Sequence, residues 1–180
     1  WVQPPGNAEG PSSFAEWVLN PVETNAGSRL PIVGAPLQGV THLPDGRAIA
    51  VGDEGTILTS ADGGASWQRR ASGIKNGLLA VTLLADGRAI AVGWAGTILT
   101  SADGGASWRQ QARLNKEWLS SVSLLSDGRA IAVGERGTIL TSADNGANWR
   151  QRTSGRKNTL VSVSVLADGR AIAVGLGGTI

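Results

Sequence analysis

Acidic side chains recur along this chain at a fixed spacing, and carboxylates can act as catalytic acids, as nucleophiles or as cation ligands. Four copies of the string DGRAIAVG begin with an acid, at Asp45, Asp86, Asp127 and Asp168. Three Ser-x-Asp-x-Gly-x-x-Trp segments hold another, at Asp62, Asp103 and Asp144. Both series have a period of 41 residues. Asp53 is therefore the one aspartate outside the repeated turns.

This spread of carboxylates argues against catalysis and against metal binding. A two-carboxylate glycosidase needs an acid and a partner roughly 5–10 Å apart, and the repeated turns offer no unique pair. Calcium takes six or more oxygen ligands, whereas a SADGG turn supplies a lone carboxylate. We therefore assign no catalytic residue, no metal ligand and no cofactor. Each Asp is predicted to accept backbone N–H groups and so staple its turn, in which Gly permits positive φ.

Composition removes further classes of function. The chain of 180 residues has no Cys and no Tyr, and His42 is its single histidine. Zinc fingers, iron–sulfur sites and cysteine nucleophiles are excluded. The 16 basic and 14 acidic residues give a net charge of +2, which is too little for a protein that binds nucleic acid by counterion release. We expect no nucleic-acid partner.

The repeat itself predicts the elements that position these residues. Residues 86–109 and 127–150 are identical at 20 of 24 positions. Each copy contains an alternating run such as Ser121–Leu125, an Asp-Gly turn, the apolar AIAVG, then TILTS, and finally a polar segment that opens with Trp. Four short strands in about 41 residues are typical of one β-propeller blade. The chain is predicted to be all-β, and a β-solenoid is the second interpretation.

The repeats also suggest how the chain is organised. Blades are expected near 37–77, 78–118 and 119–159, with an incomplete one at 160–180. Residues 1–36 follow no clean repeat and are interpreted as an irregular N-terminal segment or a degenerate blade. The chain is therefore expected to be part of a larger closed propeller, of roughly six to eight blades.

The turn motif carries a family resemblance. It is met by Ser60, Asp62, Gly64 and Trp67, by Ser101, Asp103, Gly105 and Trp108, and by Ser142, Asp144, Gly146 and Trp149. This pattern resembles the Asp-box, or bacterial neuraminidase repeat, a hairpin between the third and fourth strands of a propeller blade. The wider form VGxxGTILTSxDGGxxW is similar to the photosystem II stability and assembly factor family and its bacterial relatives, over residues 37–180.

The resemblance implies a function that the residues alone do not. Sialidases of the Asp-box class use a Tyr nucleophile, which this chain lacks, so no enzymatic activity is expected. The assembly-factor likeness implies a scaffold in the periplasm, a lumen or the cell surface, bound to a subunit of a membrane protein complex. No signal peptide is expected within this sequence, which starts at Trp1.

The copies differ from one another mainly at one end of the predicted blades. In an up-and-down blade, the turns after the first and third strands share one end, and here both are nearly constant. The turn after the second strand and the link to the next blade share the other end, and both vary. These turns read Asp53-Glu54, Trp94-Ala95, Glu135-Arg136 and Leu176-Gly177. Either unconstrained drift or adaptation to a partner produces such a pattern.

Two tryptophans favour a partner. Trp94 and Trp118 come from adjacent blades at the variable end, so they are able to lie close together, although Trp118 also fits a core position between blades. Trp beside Arg and Lys is the usual make-up of an interface hot spot. The predicted partner-binding residues are Trp94, Trp118, Arg69, Arg70, Lys75, Arg113, Lys116, Glu135, Arg136, Arg156 and Lys157. The alternative is a carbohydrate-binding module, or the non-catalytic part of a sialidase-like glycosidase, in which both tryptophans stack on sugars.

Overall fold

Each copy of the repeat forms its own antiparallel sheet, in which the strands follow one another in chain order. The computed structural model describes residues 35–112, 114–155, 157–166, 168–178 and 180. The first sheet comprises β1 (Leu37–His42), β2 (Ala48–Gly52), β3 (Ile57–Ser60) and β4 (Gln68–Arg70). The second comprises β5 (Leu78–Leu83), β6 (Ala89–Gly93), β7 (Ile98–Ser101) and β8 (Arg109–Gln110).

The third sheet repeats this arrangement, and the fourth has two strands within the described residues. The third comprises β9 (Leu119–Leu124), β10 (Ala130–Gly134), β11 (Ile139–Ser142) and β12 (Arg150–Arg152). The fourth comprises β13 (Leu160–Val165) and β14 (Ala171–Gly175). The AIAVG strand lies inside each of the first three sheets, where apolar side chains on both faces are covered.

In the first three sheets a 3-10 turn joins the second strand to the third, and in the fourth sheet such a turn follows the second strand. The turns are Asp53–Gly55, Trp94–Gly96, Glu135–Gly137 and Leu176–Gly178. Its middle residue is left-handed even where it is not Gly, with φ of 56° at Glu54 and 54° at Ala95. Thr56 closes the first turn by donating its N–H to the carbonyl of Asp53 at 3.0 Å. The third strand therefore begins one residue later than the sequence pattern TILTS predicts.

The core lies between neighbouring sheets. Ile49 and Val51 of β2 pack with Leu78 and Leu99 of the second sheet. One copy further along, buried side chains of β6 and β7 pack with the third sheet, and Val133 of β10 then packs with the fourth. Stacked four-stranded blades are the architecture of a β-propeller, so the predicted fold is confirmed.

The two pairs of turns lie at opposite ends of the blades, as predicted. At one end the Asp-Gly turn accepts a hydrogen bond from the turn that follows the third strand, for example from Gly63 N to Gly46 O at 2.8 Å. We call this end the constant face. At the other end the 3-10 turn donates to the link that precedes the first strand, for example from Trp94 N to Gly77 O at 3.0 Å. We call this end the variable face.

Candidate functional site

The Ser-x-Asp-x-Gly-x-x-Trp turns on the constant face are closed by their own side chains. In the second blade the Ser101 hydroxyl donates to Asp103 Oδ1 at 2.7 Å and accepts the N–H of Gly105 at 3.0 Å. Asp103 also accepts the backbone N–H of Ser107 at 2.9 Å and its hydroxyl at 2.5 Å. The first blade repeats these bonds with Ser66. The third repeats them with an Asn148 amide in place of the hydroxyl.

These hydrogen bonds stabilise the charged form of each carboxylate. The pKa of Asp103 is lowered to about 2, first because of the Ser107 hydroxyl and then because of the Ser107 N–H. The pKa values of Asp62 and Asp144 are lowered to about 2 by the corresponding Ser66 and Asn148 groups. Each carboxylate accepts both backbone and side-chain donors of its own turn, so the geometry is that of a structural staple.

Each of the second and third turns also packs on the preceding blade. Gly105 lies so close to β2 that a Cβ there would be 2.8 Å from Ile49 Cδ1. Trp108 donates its Nε1–H to the Gly105 carbonyl at 2.9 Å and packs against the core between the first two sheets. Trp149 makes the same bond to Gly146 and is 7% exposed. The indoles thus fasten one blade to the one before it. Trp67 of the first blade is half-buried.

The DGR arginines connect a blade to the one that follows it. Arg47 binds Asp45 at 2.8 Å and donates a second bond to the carbonyl of Ala85 in the next blade at 2.7 Å. Arg88 repeats this pattern with Asp86 and the carbonyl of Ser126. The pKa values of Asp45 and Asp86 are lowered chiefly by these side-chain hydrogen bonds. The constant face is therefore a hydrogen-bonded scaffold.

On the variable face the structure brings Trp94 and Trp118 into contact. Their ring centroids are 4.9 Å apart and their planes meet at 81°, an edge-to-face pair. Trp94 is 44% exposed and Trp118 is half-buried. The proximity inferred from their positions in the repeat is confirmed. Trp118 is not a fully buried core residue. It is half-buried and packs its ring against Trp94 of the second blade.

Local backbone features hold this pair in place. The Trp94 carbonyl accepts a hydrogen bond from Asn76 Nδ2 at 3.3 Å, which ties the 3-10 turn to the link. Gly77 lies directly under the Trp94 indole, since a Cβ there would be 2.7 Å from Trp94 Cδ1. The Trp118 carbonyl accepts the N–H of Glu135 at 3.0 Å. The pair therefore spans the second and third blades.

The predicted basic residues divide between several places. Arg69 and Arg70 lie on β4, the outermost strand of the first sheet, where Arg70 Nε donates to Thr59 at 2.8 Å. Lys75 and Lys116 lie in links and are exposed. Arg136 and Lys157 come together around a cleft of about 390 Å³, which Arg152 also lines. Glu135 begins the 3-10 turn of the third blade. Arg113, Arg156 and residues 1–34 lie outside the described residues.

Asp53 was not among the predicted partner-binding residues, but the structure places its carboxylate beside Trp94. A Cβ on Gly77 would be 3.1 Å from Asp53 Oδ1 as well as from Trp94 Nε1. The carboxylate of the first blade and the indole of the second therefore flank the same glycine. The sequence shows that Asp53, Trp94 and Glu135 occupy equivalent positions of successive repeats, but not that the Asp53 carboxylate meets the Trp94 indole across Gly77.

No group of three or more His, Cys, Asp or Glu side chains with the geometry of a metal site occurs within the described residues. In the same part of the chain, no helix has the length and apolar character needed to cross a membrane.

Comparisons with known proteins address the fold. No family model matches the chain, and no curated protein matches its sequence. Among solved structures it is similar to YCF48 bound to a D1 peptide, at 22% identity and a TM-score of 0.67, over 82% of this chain and 49% of that one. YCF48 from Cyanidioschyzon merolae is similar at 23% identity and a TM-score of 0.63, over 79% and 51%. The WD40 β-propeller domain of Doa1 has 14% identity and a TM-score of 0.63, over 79% and 48%.

The chain thus spans about half the length of these three structures. At such identities the likeness concerns architecture, and these neighbours share with this chain the fold of a β-propeller.

Proposed function

We propose that this chain belongs to a non-enzymatic β-propeller scaffold that works outside the cytoplasm and binds partner proteins through its variable face, in the assembly or support of a membrane protein complex. The observation that carries the proposal is the Trp94–Trp118 pair. Two large aromatic side chains meet at the end of the blades where the copies differ, and one of them is 44% exposed. Aromatic residues in such positions dominate the energetics of protein interfaces.

The division of labour between the two faces supports this proposal. On the constant face, turn carboxylates and DGR arginines are engaged in hydrogen bonds that recur from blade to blade. At one equivalent position the variable face carries an acid, a tryptophan, an acid and a leucine in successive blades; the tryptophan and the leucine are exposed and the two acids are half-buried. Scaffolds commonly bind through loops that a rigid framework positions.

The structural neighbours support a protein as the class of partner. One of the similar structures is YCF48 bound to a D1 peptide, so a propeller of this architecture binds a protein segment. Carried to the present chain, this supports a protein partner. The extracytoplasmic location and the membrane complex come from the resemblance in sequence motifs, and they are part of the proposal.

The test is affinity capture of the protein from extracts of its own cell envelope, followed by mass spectrometry of the proteins that accompany it. The wild type is compared with the double variant Trp94→Ala/Trp118→Ala and with Leu176→Ala. Leu176 is a matched control, because it occupies the Trp94 position in the fourth blade and is 61% exposed. Circular dichroism of all three proteins checks that the sheets are retained.

We expect a subunit of a membrane complex to accompany the wild type and Leu176→Ala, and to be lost at least tenfold with the double variant. Equal recovery with all three proteins would contradict a role for the variable face. Glycan-array binding that disappears with the double variant, together with no captured protein, would favour the carbohydrate-binding alternative.

A further inference from the structure

We infer that the Trp94–Trp118 pair receives a cationic side chain, Lys or Arg, from the partner protein. This inference rests on the proposed function, because it names the chemistry of the group bound at that same surface. It also assigns a role to Asp53, which was not among the predicted site residues.

The ring geometry fits a compact cation. Two indole planes at 81° with centroids 4.9 Å apart form a corner, so a group lying in it faces the π surface of one ring and adjoins the other. A cation within about 6 Å of an indole centroid is attracted by the negative ring face, and Trp provides the strongest such attraction. A flat sugar ring would instead need one broad open face.

Three acids belong to the segments that form the corner, and one of them lies beside an indole. Asp53 Oδ1 and the Trp94 indole both lie against Gly77, at the distances given above. Glu117 precedes Trp118 in the chain and accepts the N–H of Lys116 at 3.2 Å. Glu135 donates its backbone N–H to the Trp118 carbonyl at 3.0 Å, so its 3-10 turn adjoins the link that carries Trp118. Asp53 is thus the acid placed beside the pair, and Glu117 and Glu135 belong to the segments that carry Trp118; together these acids raise the local preference for a positive charge.

The described cations of the same face form no ion pair with these acids. Salt bridges among the described residues join the Asp and Arg of the DGR turns. Between Lys75, Lys116 or Arg136 and these three acids, that part of the chain shows no ion pair. Arg136 lines the cleft around Lys157 instead. A Lys or Arg side chain of a partner would bring to the corner a positive charge that the described residues do not place there.

The test selects displayed random peptides on the full 180-residue protein and counter-selects them on Trp94→Ala/Trp118→Ala. Synthetic versions of the selected peptides are then compared with versions in which each Lys or Arg is replaced by Gln. Binding is measured on the wild type, on Asp53→Asn and on Glu54→Gln. Glu54 is a matched control. It is an exposed acid in the same 3-10 turn, but it follows Asp53 by one residue and so does not occupy the repeat position shared by Asp53 and Trp94.

The expected result is that peptides dependent on the tryptophan pair carry Lys or Arg at a recurrent position. Replacing it by Gln weakens binding about fivefold to tenfold. Asp53→Asn weakens binding about threefold and reduces its salt dependence, while Glu54→Gln leaves it unchanged.

Two results overturn the inference in distinguishable ways. Peptides that need the tryptophan pair but bind equally after the Gln replacement would remove the cation and leave the proposed function intact. Failure to select any peptide that needs the pair would count against both the cation and protein binding at this face, and envelope capture would then decide whether the scaffold function survives.

Discussion

At the scale of single residues, the aspartates of the Ser-x-Asp turns act through the hydrogen bonds that they accept. Asp103 binds the hydroxyl of Ser101 and both the N–H and the hydroxyl of Ser107. These donors favour the charged carboxylate, so its pKa lies at about 2 in the folded protein. An unfolded chain has no such donors, and its aspartates titrate near their ordinary pKa of about 3.9.

Stability should therefore fall on acidification, between about pH 4 and pH 2. In this window the unfolded chain binds protons that the folded turns do not, so the free energy of unfolding decreases as pH decreases. The triple variant Asp62→Asn/Asp103→Asn/Asp144→Asn removes this proton uptake at three positions. We expect the dependence of its unfolding free energy on pH in this window to be about half as steep as in the wild type. Chemical denaturation at several pH values measures it.

The DGR carboxylates also have lowered pKa values and remain in the triple variant, so some acid dependence persists. Glu54→Gln removes one exposed acid from the variable face and serves as the control for charge alone. If the unfolding free energy of the triple variant depends on pH as steeply as that of the wild type, the turns must open before Asp62, Asp103 and Asp144 are protonated.

The role of a single residue can be predicted from the sequence when its partners lie nearby in the same repeat. The staple role of Asp103 follows from its type and from the Ser and Gly around it, which are all local in sequence. The position of Asp53 beside Trp94 does not, because the two side chains come from different blades and meet across Gly77. Only the geometry of neighbouring sheets brings them together.

At the scale of elements, the Ser-x-Asp-x-Gly-x-x-Trp turn packs closely against the preceding blade. Gly105 has a φ of 86°, and a Cβ there would be 2.8 Å from Ile49 Cδ1 and 3.1 Å from Thr59 Cγ2. Gly104 has a φ of 71°, and a Cβ there would meet nothing within 4 Å. The third blade carries Asn145 at the position of Gly104, with a φ of 60°. Adjacent glycines in one turn therefore have different reasons for being glycine.

The two glycines form a matched pair for mutation. Gly104→Ala should cost about 1 kcal/mol, the strain of a left-handed Ala alone. Gly105→Ala should cost about 2–4 kcal/mol, because the methyl group also presses on β2 of the first blade. Urea denaturation followed by circular dichroism compares the two variants. Equal losses would show that the turn relaxes away from Ile49 without penalty.

The sequence predicted the strands well and the turns of the variable face poorly, for a physical reason. Strands such as AIAVG are marked by apolar runs between Gly-containing turns, a local signal. In the 3-10 turns, Glu54, Ala95 and Arg136 adopt left-handed backbone although their side chains do not favour it. Their conformation is imposed by bonds to the preceding link, such as Trp94 N to Gly77 O. Such tertiary constraints leave no local trace in the sequence.

At the scale of the whole molecule, almost identical strands experience different environments because of their place in the stack. The isoleucine of AIAVG is 0% exposed at Ile49 and Ile90, half-buried at Ile131 and 49% exposed at Ile172. Each blade covers the second strand of the one before it, as Gly146 and Trp149 do for Ile90. Stability in such an array is approximately a sum of terms between nearest neighbours.

This equivalence makes Ile→Ala at different copies a direct measurement of inter-blade packing. In the 180-residue chain, Ile90→Ala should cost about 2–5 kcal/mol, because it leaves a cavity between the second and third sheets. Ile172→Ala should cost less than about 1 kcal/mol, since the same side chain is already half in contact with solvent. Denaturant unfolding gives both values. Similar losses at the two positions would mean that another sheet covers Ile172 in solution, and hydrogen exchange of β14 would then show protection equal to that of β6.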